Sequence, residues 1–262
     1  MAPTGIHLTA NISKKTQLGR DLSIGPGVVI GDDVTVGDNC RIGPFTVITG
    51  PTVIGENNRF FGQASIGSDP QDLKFKGETS FLFLGDDNLI REFVTINRGT
   101  AGGGGKTVIG SGNLIMTGAH VAHDCIIGDR TILENAATLA GHVLIGDHAI
   151  VGAFSGVHQF CRVGAYAFIG GYTVVTRDAV PFVKTVGIRS TARTFGINAI
   201  GLERRGFSED RIEALRKAYR LIFKKKLKLK EAISRVREEI TLTEDVETML
   251  QFLESSERGF IR

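Results

Sequence analysis

The sequence predicts a mainly β chain: a parallel β-solenoid over residues 1–188, closed by a small α-helical C-terminal domain over 189–262. Three observations predict it. An apolar residue recurs every sixth position, glycine is abundant while proline is scarce, and the six-residue period gives way to helical spacing near Arg189. Glycine supplies 34 of 262 residues and proline only 6, and the glycine share is nearly twice the usual ~7%. With 42% hydrophobic residues, this composition excludes collagen, low-complexity disorder and a polar linker. The glycines are expected at turns.

The repeat runs through Ile6, Ile12, Leu18, Ile24, Ile30, Val36, Ile42, Ile48, Ile54, Phe60 and Ile66 with no polar exception. Glycine often follows directly, as at Gly19, Gly25, Gly31 and Gly37, and the fifth position is usually small or β-branched, as at Ala10, Val28, Cys40 and Thr46. A helix of period 3.6 cannot hold that pattern. Each hexad is therefore a short strand and a turn, with side chains one and five pointing into a narrow shaft. One hexad buries almost nothing alone, and stability comes from stacking coil on coil. Leu84, Ile90 and Ile96 keep the phase, and the period returns one residue out of step at Ile109 and holds through Val175. Residues 68–80 and 101–106, the second reading Ala-Gly-Gly-Gly-Gly-Lys, cannot continue a solenoid wall. Both are expected as loops, which on a rigid scaffold commonly carry function.

Beyond about Arg189 the hexads vanish. Ser208-Glu209-Asp210 has the form of an N-cap with an acidic first turn, and Ile212, Leu215, Tyr219 and Ile222 follow at helical spacing. The basic run from Lys224 to Lys230 leads into further helix, and Thr241 with Glu244 suggests a capping box for the last one. Such a tail would cap an open solenoid end.

A net charge of +3 is too slight to imply a nucleic-acid partner. No 18-residue apolar run exists and the first residues lack a basic or apolar leader pattern, so neither membrane insertion nor secretion is expected, and the cytoplasm is the expected location. Cys40, Cys125 and Cys161 form no CxxC pair and all fall at position five of a hexad. They are expected as reduced core residues without chemistry.

Hexads of the form [Ile/Leu/Val]-Gly-x-x-small-x resemble those of the hexapeptide-repeat acyltransferases. The match narrows at Gln71-Asp72-Leu73-Lys74, Arg98-Gly99-Thr100, Ala119-His120-Val121-Ala122-His123-Asp124-Cys125, Leu139-Ala140-Gly141-His142, Val157-His158-Gln159-Phe160-Cys161 and Gly201-Leu202-Glu203-Arg204-Arg205-Gly206-Phe207. Together these resemble the UDP-N-acetylglucosamine O-acyltransferases that begin lipid A synthesis, over essentially the whole chain. The resemblance implies a left-handed parallel β-helix with three hexads per coil, neither of which follows from the period. It also implies an enzyme that moves a 3-hydroxyacyl group from acyl carrier protein to the 3-hydroxyl of UDP-N-acetylglucosamine. A homotrimer is expected, with active sites at subunit interfaces. The carrier thioester is the donor substrate, so no cofactor and no metal are expected.

With three hexads per coil, His123, His142 and His158 fall in hexads on one side of the prism, and the sequence predicts a histidine column there, with His120 near the same edge. Imidazole is the side chain whose ordinary titration lies nearest neutral pH. The resemblance makes His123 the general base, Asp124 the carboxylate that orients it, and the backbone N–H of Gly141 the oxyanion donor. By the same resemblance Asp72, Lys74, His120, His142, His158, Gln159, Asn198, Arg204 and Arg205 hold sugar, diphosphate or uridine, and Gly171 lies at the far end of the acyl groove. Arg204, Arg205 and the Lys224–Lys230 run are candidate contacts for an acidic carrier protein.

Two departures from the family pattern stand out: Asn97 in place of a histidine, and the segment 184–194. Three other readings remain open from the residues. One is an N-acyltransferase acting on a 3-amino sugar nucleotide or on a later lipid A intermediate. Another is a metal-dependent lyase of the same fold, although the pair here is His120-x2-His123 rather than His-x4-His. The third is a non-enzymatic scaffold.

Overall fold

The computed structural model describes residues 5–188 and 191–262. Within them the hexads form a left-handed parallel β-helix of triangular section. Its three walls are sheets of eleven, nine and eight strands, here faces one, two and three, and neighbours in each sheet are strands three hexads apart in the chain. Ile30 opposes Ile48 and Ile48 opposes Ile66, each an 18-residue step. Where a loop is inserted the step lengthens while the register survives: Ile66 opposes Ile96, and Leu84 opposes Ile109.

The shaft is filled as the period predicts. Val28, Ile30, Val34 and Val36, positions five and one of successive hexads, are all at most 1% exposed. Each such branched side chain contributes roughly 1.5–3 kcal/mol on burial. The first coil differs, for Ile6 is 53% exposed, because among the described residues no coil lies beneath it. Position four of the hexads is held in the left-handed region at nearly every corner, including non-glycine residues such as Asp21, Asp124 and His142. That turn redirects the chain by a third of a revolution in two residues. Position two favours glycine because the next coil passes close: a Cβ on Gly37 would lie 2.6 Å from the carbonyl of Gly55.

Both interruptions emerge on one edge. The segment between strands Ser65–Ser68 and Phe81–Leu84, and the segment between Thr95–Asn97 and Lys106–Ile109, each join face two to face three. The second contains a single 3₁₀ turn, Ala101–Gly103.

The expected domain boundary at 189 lies outside the described residues. Beyond it the first regular element is a strand rather than a helix. Arg193–Ile197 pairs antiparallel with Val183–Val186 and ends face one. Helices α1 (Ala199–Glu203), α2 (Glu209–Tyr219), α3 (Leu229–Glu239) and α4 (Glu244–Glu254) follow, with a π-helical turn extending α2 through Lys224. Ser208 caps α2, and Ile212, Leu215, Tyr219 and Ile222 face a core shared with Phe182 and Val183 of the last coil. The cap of α4 is Thr243, whose hydroxyl accepts from the Val246 amide, so the Thr241–Glu244 capping box does not form. The chain end returns to the solenoid. Asp178, 1% exposed, takes the Arg162 guanidinium and the Ser256 hydroxyl, while Arg162 also reaches Ser255 and the Phe252 carbonyl.

Candidate active site

The edge between faces two and three collects most of the chemistry. Asp124, His142 and Phe160 occupy position four of successive coils with φ of 61°, 63° and 62°, so they stack one above another at about the ~4.8 Å strand spacing. His142 lies flat on Phe160, ring centroids 4.4 Å apart. His123 stands one residue earlier in its hexad and meets His142 edge-on at 5.2 Å.

His123 Nδ1 lies 2.8 Å from Asp124 Oδ2. A carboxylate only accepts, so a proton sits on Nδ1, and in the neutral imidazole Nε2 carries the lone pair. Asp124 is fixed in turn. Its side chain is fully buried, the Thr100 amide donates to Oδ1 at 2.8 Å, and the Thr100 hydroxyl donates to Oδ2 at 2.6 Å. Its own amide donates to Thr107 Oγ1 at 2.8 Å. Thr100 and Thr107 flank the second interruption, so the loop supplies the bonds that let a carboxylate survive in the wall.

Gly141 lies against the imidazole, for a Cβ there would sit 2.5 Å from His123 Cε1 and 2.8 Å from Nε2. No side chain fits between them. Among the described residues its amide donates no hydrogen bond. His120, on strand His120–Val121, is half-buried and bonds Thr95 Oγ1 through Nδ1 at 2.7 Å. Burial first, and then His123, lowers its pKa. The pKa of His142 is lowered mainly by burial, opposed by Asp124 at 3.7 Å and by Asp72 of the first loop. Both imidazoles are therefore neutral at neutral pH and able to donate or accept one hydrogen bond. Asp72 caps its own loop, accepting from the Lys74 amide at 2.9 Å, and the Lys74 side chain is exposed.

The predicted three-histidine column is corrected. His123, His142 and His158 share the edge but fall at positions three, four and two of their hexads, and each position aims its side chain differently. His158 and Gln159 are exposed, and His158 Nδ1 donates to the Gln159 carbonyl at 3.2 Å. The stack in register is Asp124, His142 and Phe160.

Four other expected residues lie elsewhere on this chain. Asn198, buried, donates to the Tyr166 carbonyl, and Arg205 reaches His148 Nδ1 at 3.4 Å, both on the edge between faces three and one, with exposed Arg204 close by in sequence. Gly171 sits on the remaining edge, beside the Ala153 carbonyl. A single chain does not bring these to His123. Asn97 is buried and donates to the Asp69 carbonyl at 2.8 Å, which anchors the root of the first loop. Of the segment 184–194, residues 189 and 190 lie outside the described residues.

Asp124 and His142 open into a groove of ≈ 640 Å³, lined further by Phe160, Arg162, Asp178 and Arg258. The C-terminal segment thus forms one wall of that groove. Sequence reasoning missed Thr100, Gly103, Phe160 and Arg258. An 18-residue step from His142 would have pointed to Phe160, and the interruption after a face-two hexad to Thr100 and Gly103, whereas nothing local marks Arg258.

His123, Asp124 and His142 offer ligand atoms within 4.8 Å of one another. A cation there would compete with the three donors already on Asp124. The set fits a hydrogen-bonded acid–base pair better.

Residues 178–261 match the family profile of UDP N-acetylglucosamine O-acyltransferase domain 2, and residues 15–50, 106–141 and 142–177 match bacterial transferase hexapeptide repeats. The chain is 46% identical to the acyl-(acyl-carrier-protein)-UDP-N-acetylglucosamine O-acyltransferase of Thermodesulfovibrio yellowstonii, over 98% of this chain and 99% of the relative. Identity to the enzyme of that name from Myxococcus xanthus is 47%, with the same coverage. Among solved structures, the chain is similar to a UDP-N-acetylglucosamine acyltransferase from Bacteroides fragilis, with a TM-score of 0.95 and 43% identity over 98% of this chain and 100% of the other. The corresponding values for a UDP-N-acetylglucosamine O-acyltransferase from Moraxella catarrhalis are 0.94, 38%, 98% and 99%.

Proposed function

The chain belongs to the UDP-N-acetylglucosamine O-acyltransferase family, and from that premise we propose that it transfers a 3-hydroxyacyl group from acyl carrier protein to the 3-hydroxyl of UDP-N-acetylglucosamine, opening lipid A biosynthesis. One observation carries the mechanism. His123 donates through Nδ1 to a buried, fully bonded Asp124, which leaves Nε2 of the neutral imidazole as a base against the bare face of Gly141.

The acceptor hydroxyl gives its proton to His123 Nε2 as its oxygen attacks the thioester carbon. Asp124 steadies the imidazolium that forms. Negative charge gathers on the former carbonyl oxygen, and the Gly141 N–H is the donor proposed to receive it. Collapse breaks the carbon–sulfur bond, and the imidazolium returns its proton to the departing thiolate. The thioester is already activated, so the step requires no cofactor. Neutral His142 and His120 suit hydrogen bonding to sugar hydroxyls, and Asp72, Lys74, His158 and Gln159 surround the same edge.

Asn198, Arg204, Arg205 and Gly171 stand on other edges, which supports a homotrimer in which an edge of one copy completes the site of the next. Arginine suits the diphosphate of the nucleotide. Among the described residues no helix is long and apolar enough to cross a membrane, and we place the reaction in the cytoplasm.

The test is ester formation from hydroxyacyl carrier protein, followed by mass spectrometry, with UDP-N-acetylglucosamine and its 3-amino analogue as rival acceptors. His123→Ala should lower turnover by at least the roughly 10²–10⁴-fold that general-base catalysis provides. Retained turnover would remove His123 as the base, preference for the amine would replace the acceptor, and an active monomer in light scattering would remove the shared site.

A further inference from the structure

The glycine run at 102–105 has no part in the mechanism so far, yet one member of it, Gly103, lies directly on Asp124. We infer that the segment Thr100–Gly103 is a seat that positions the Asp124 carboxylate, with Thr100 as a positioning residue for the His123–Asp124 pair. The inference rests on the transferase reading above.

Two independent contacts support it. Thr100 gives both its amide and its hydroxyl to Asp124, one to each carboxylate oxygen. With His123 on Oδ2 as well, three donors hold a carboxylate that is fully buried and covered on one side by the loop. Gly103 provides that cover, because a Cβ there would lie 2.0 Å from Asp124 Cγ and 2.3 Å from both carboxylate oxygens. The bare face of the glycine is therefore the lid over the carboxylate. Gly102, one residue away in the same 3₁₀ turn, has nothing nearer than Thr100 Oγ1 at 4.0 Å. The insertion does more than loop out. It emerges one coil before Asp124, on the same edge, and folds over the next turn.

A carboxylate free to rotate would hold the imidazole in several orientations. Held by two donors from one residue, it presents a single oxygen to Nδ1, so Nε2 keeps one direction. The Thr100 hydroxyl is the donor that shares Oδ2 with His123, and it sets that oxygen's position.

The experiment uses the full-length enzyme with hydroxyacyl carrier protein and UDP-N-acetylglucosamine. Thr100→Val keeps the amide bond and removes the hydroxyl, and should lower kcat by roughly ten- to a hundredfold, as expected for a lost charge-assisted bond at a catalytic pair. Both KM values should stay within about twofold, since the bond acts on the reacting pair and not on bound substrate. Thr100→Ser should restore most of the activity. Gly103→Ala should lower kcat well below that of Gly102→Ala, although both make the same change to loop entropy. Placed in an Asp124→Ala background, Thr100→Val should cost nothing more, because its partner is gone. A loss of equal size in that background, a KM effect without a kcat effect, or equal kinetics for Gly103→Ala and Gly102→Ala would overturn the seat. Should the Thr100 variants fail to fold, the glycine pair decides by itself. Absence of acyl transfer in the unmodified enzyme would overturn the transferase reading instead.

Discussion

Gly141→Ala tests the catalytic geometry most directly, because the structure states how far the imidazole would have to move. The new Cβ would sit 2.5 Å from His123 Cε1, whereas carbon atoms settle at about 3.5–4.0 Å. The ring must therefore retreat by about 1 Å, and it is not free to do so. Its Nδ1–H is tied to Asp124 at 2.8 Å, and Asp124 to Thr100. The backbone of Gly141 lies outside the left-handed region, so alanine adds bulk there without adding backbone strain. Misplacing a reacting atom by about 1 Å costs on the order of 10²-fold in rate. Steady-state transfer from hydroxyacyl carrier protein should show kcat reduced by about that factor, while far-ultraviolet circular dichroism shows the solenoid retained. Kinetics within about threefold of the unmodified enzyme would mean that His123 does not work from the position it holds here.

Other consequences follow from burial. His120 and His142 resist protonation in the folded state, so below about pH 6.5, the ordinary histidine value, the unfolded chain binds more protons and stability falls with pH. Melting curves between pH 8 and 5 should show a smaller acid-side decline for His142→Phe, and an identical decline would contradict the assignment. Burial pushes the Cys125 thiol up to about 12 and that of Cys161 up to about 11. Native protein should thus resist iodoacetamide at pH 8, and rapid alkylation would show that the shaft opens. Gly171→Met should shorten the preferred hydroxyacyl chain in donor competition, since each methylene denied burial forfeits ~0.8 kcal/mol. Unchanged preference would place the end of the acyl groove at another residue.

The solenoid was legible because its constraint is local and repeated. Positions one and five must fill a shaft one side chain wide, so the hexads repeat an apolar residue at position one and mostly a small or β-branched one at position five. The adjacency of His123 and Asp124 was legible in the motif that surrounds them, while the roles proposed for them and for Gly141 came from the family resemblance. The histidine column was not legible, because an 18-residue spacing selects an edge, while a left-handed corner gives positions two, three and four different directions. The strand Arg193–Ile197 carried no hexad signal, since an antiparallel partner at the end of a sheet needs no coil above it.

The sequence by itself determined the period, the coil contents and the adjacency of His123 and Asp124, all of which depend on residues close in the chain or at fixed steps along it. Only the tertiary structure decided that both interruptions share the edge of His123, that Thr100 and Gly103 close over Asp124, and that Asn198, Arg205 and Gly171 stand on other edges. Burying a carboxylate requires donors from wherever the chain happens to pass. Those donors lie 24 residues from Asp124, and no local pattern records which turn will fold back onto which coil.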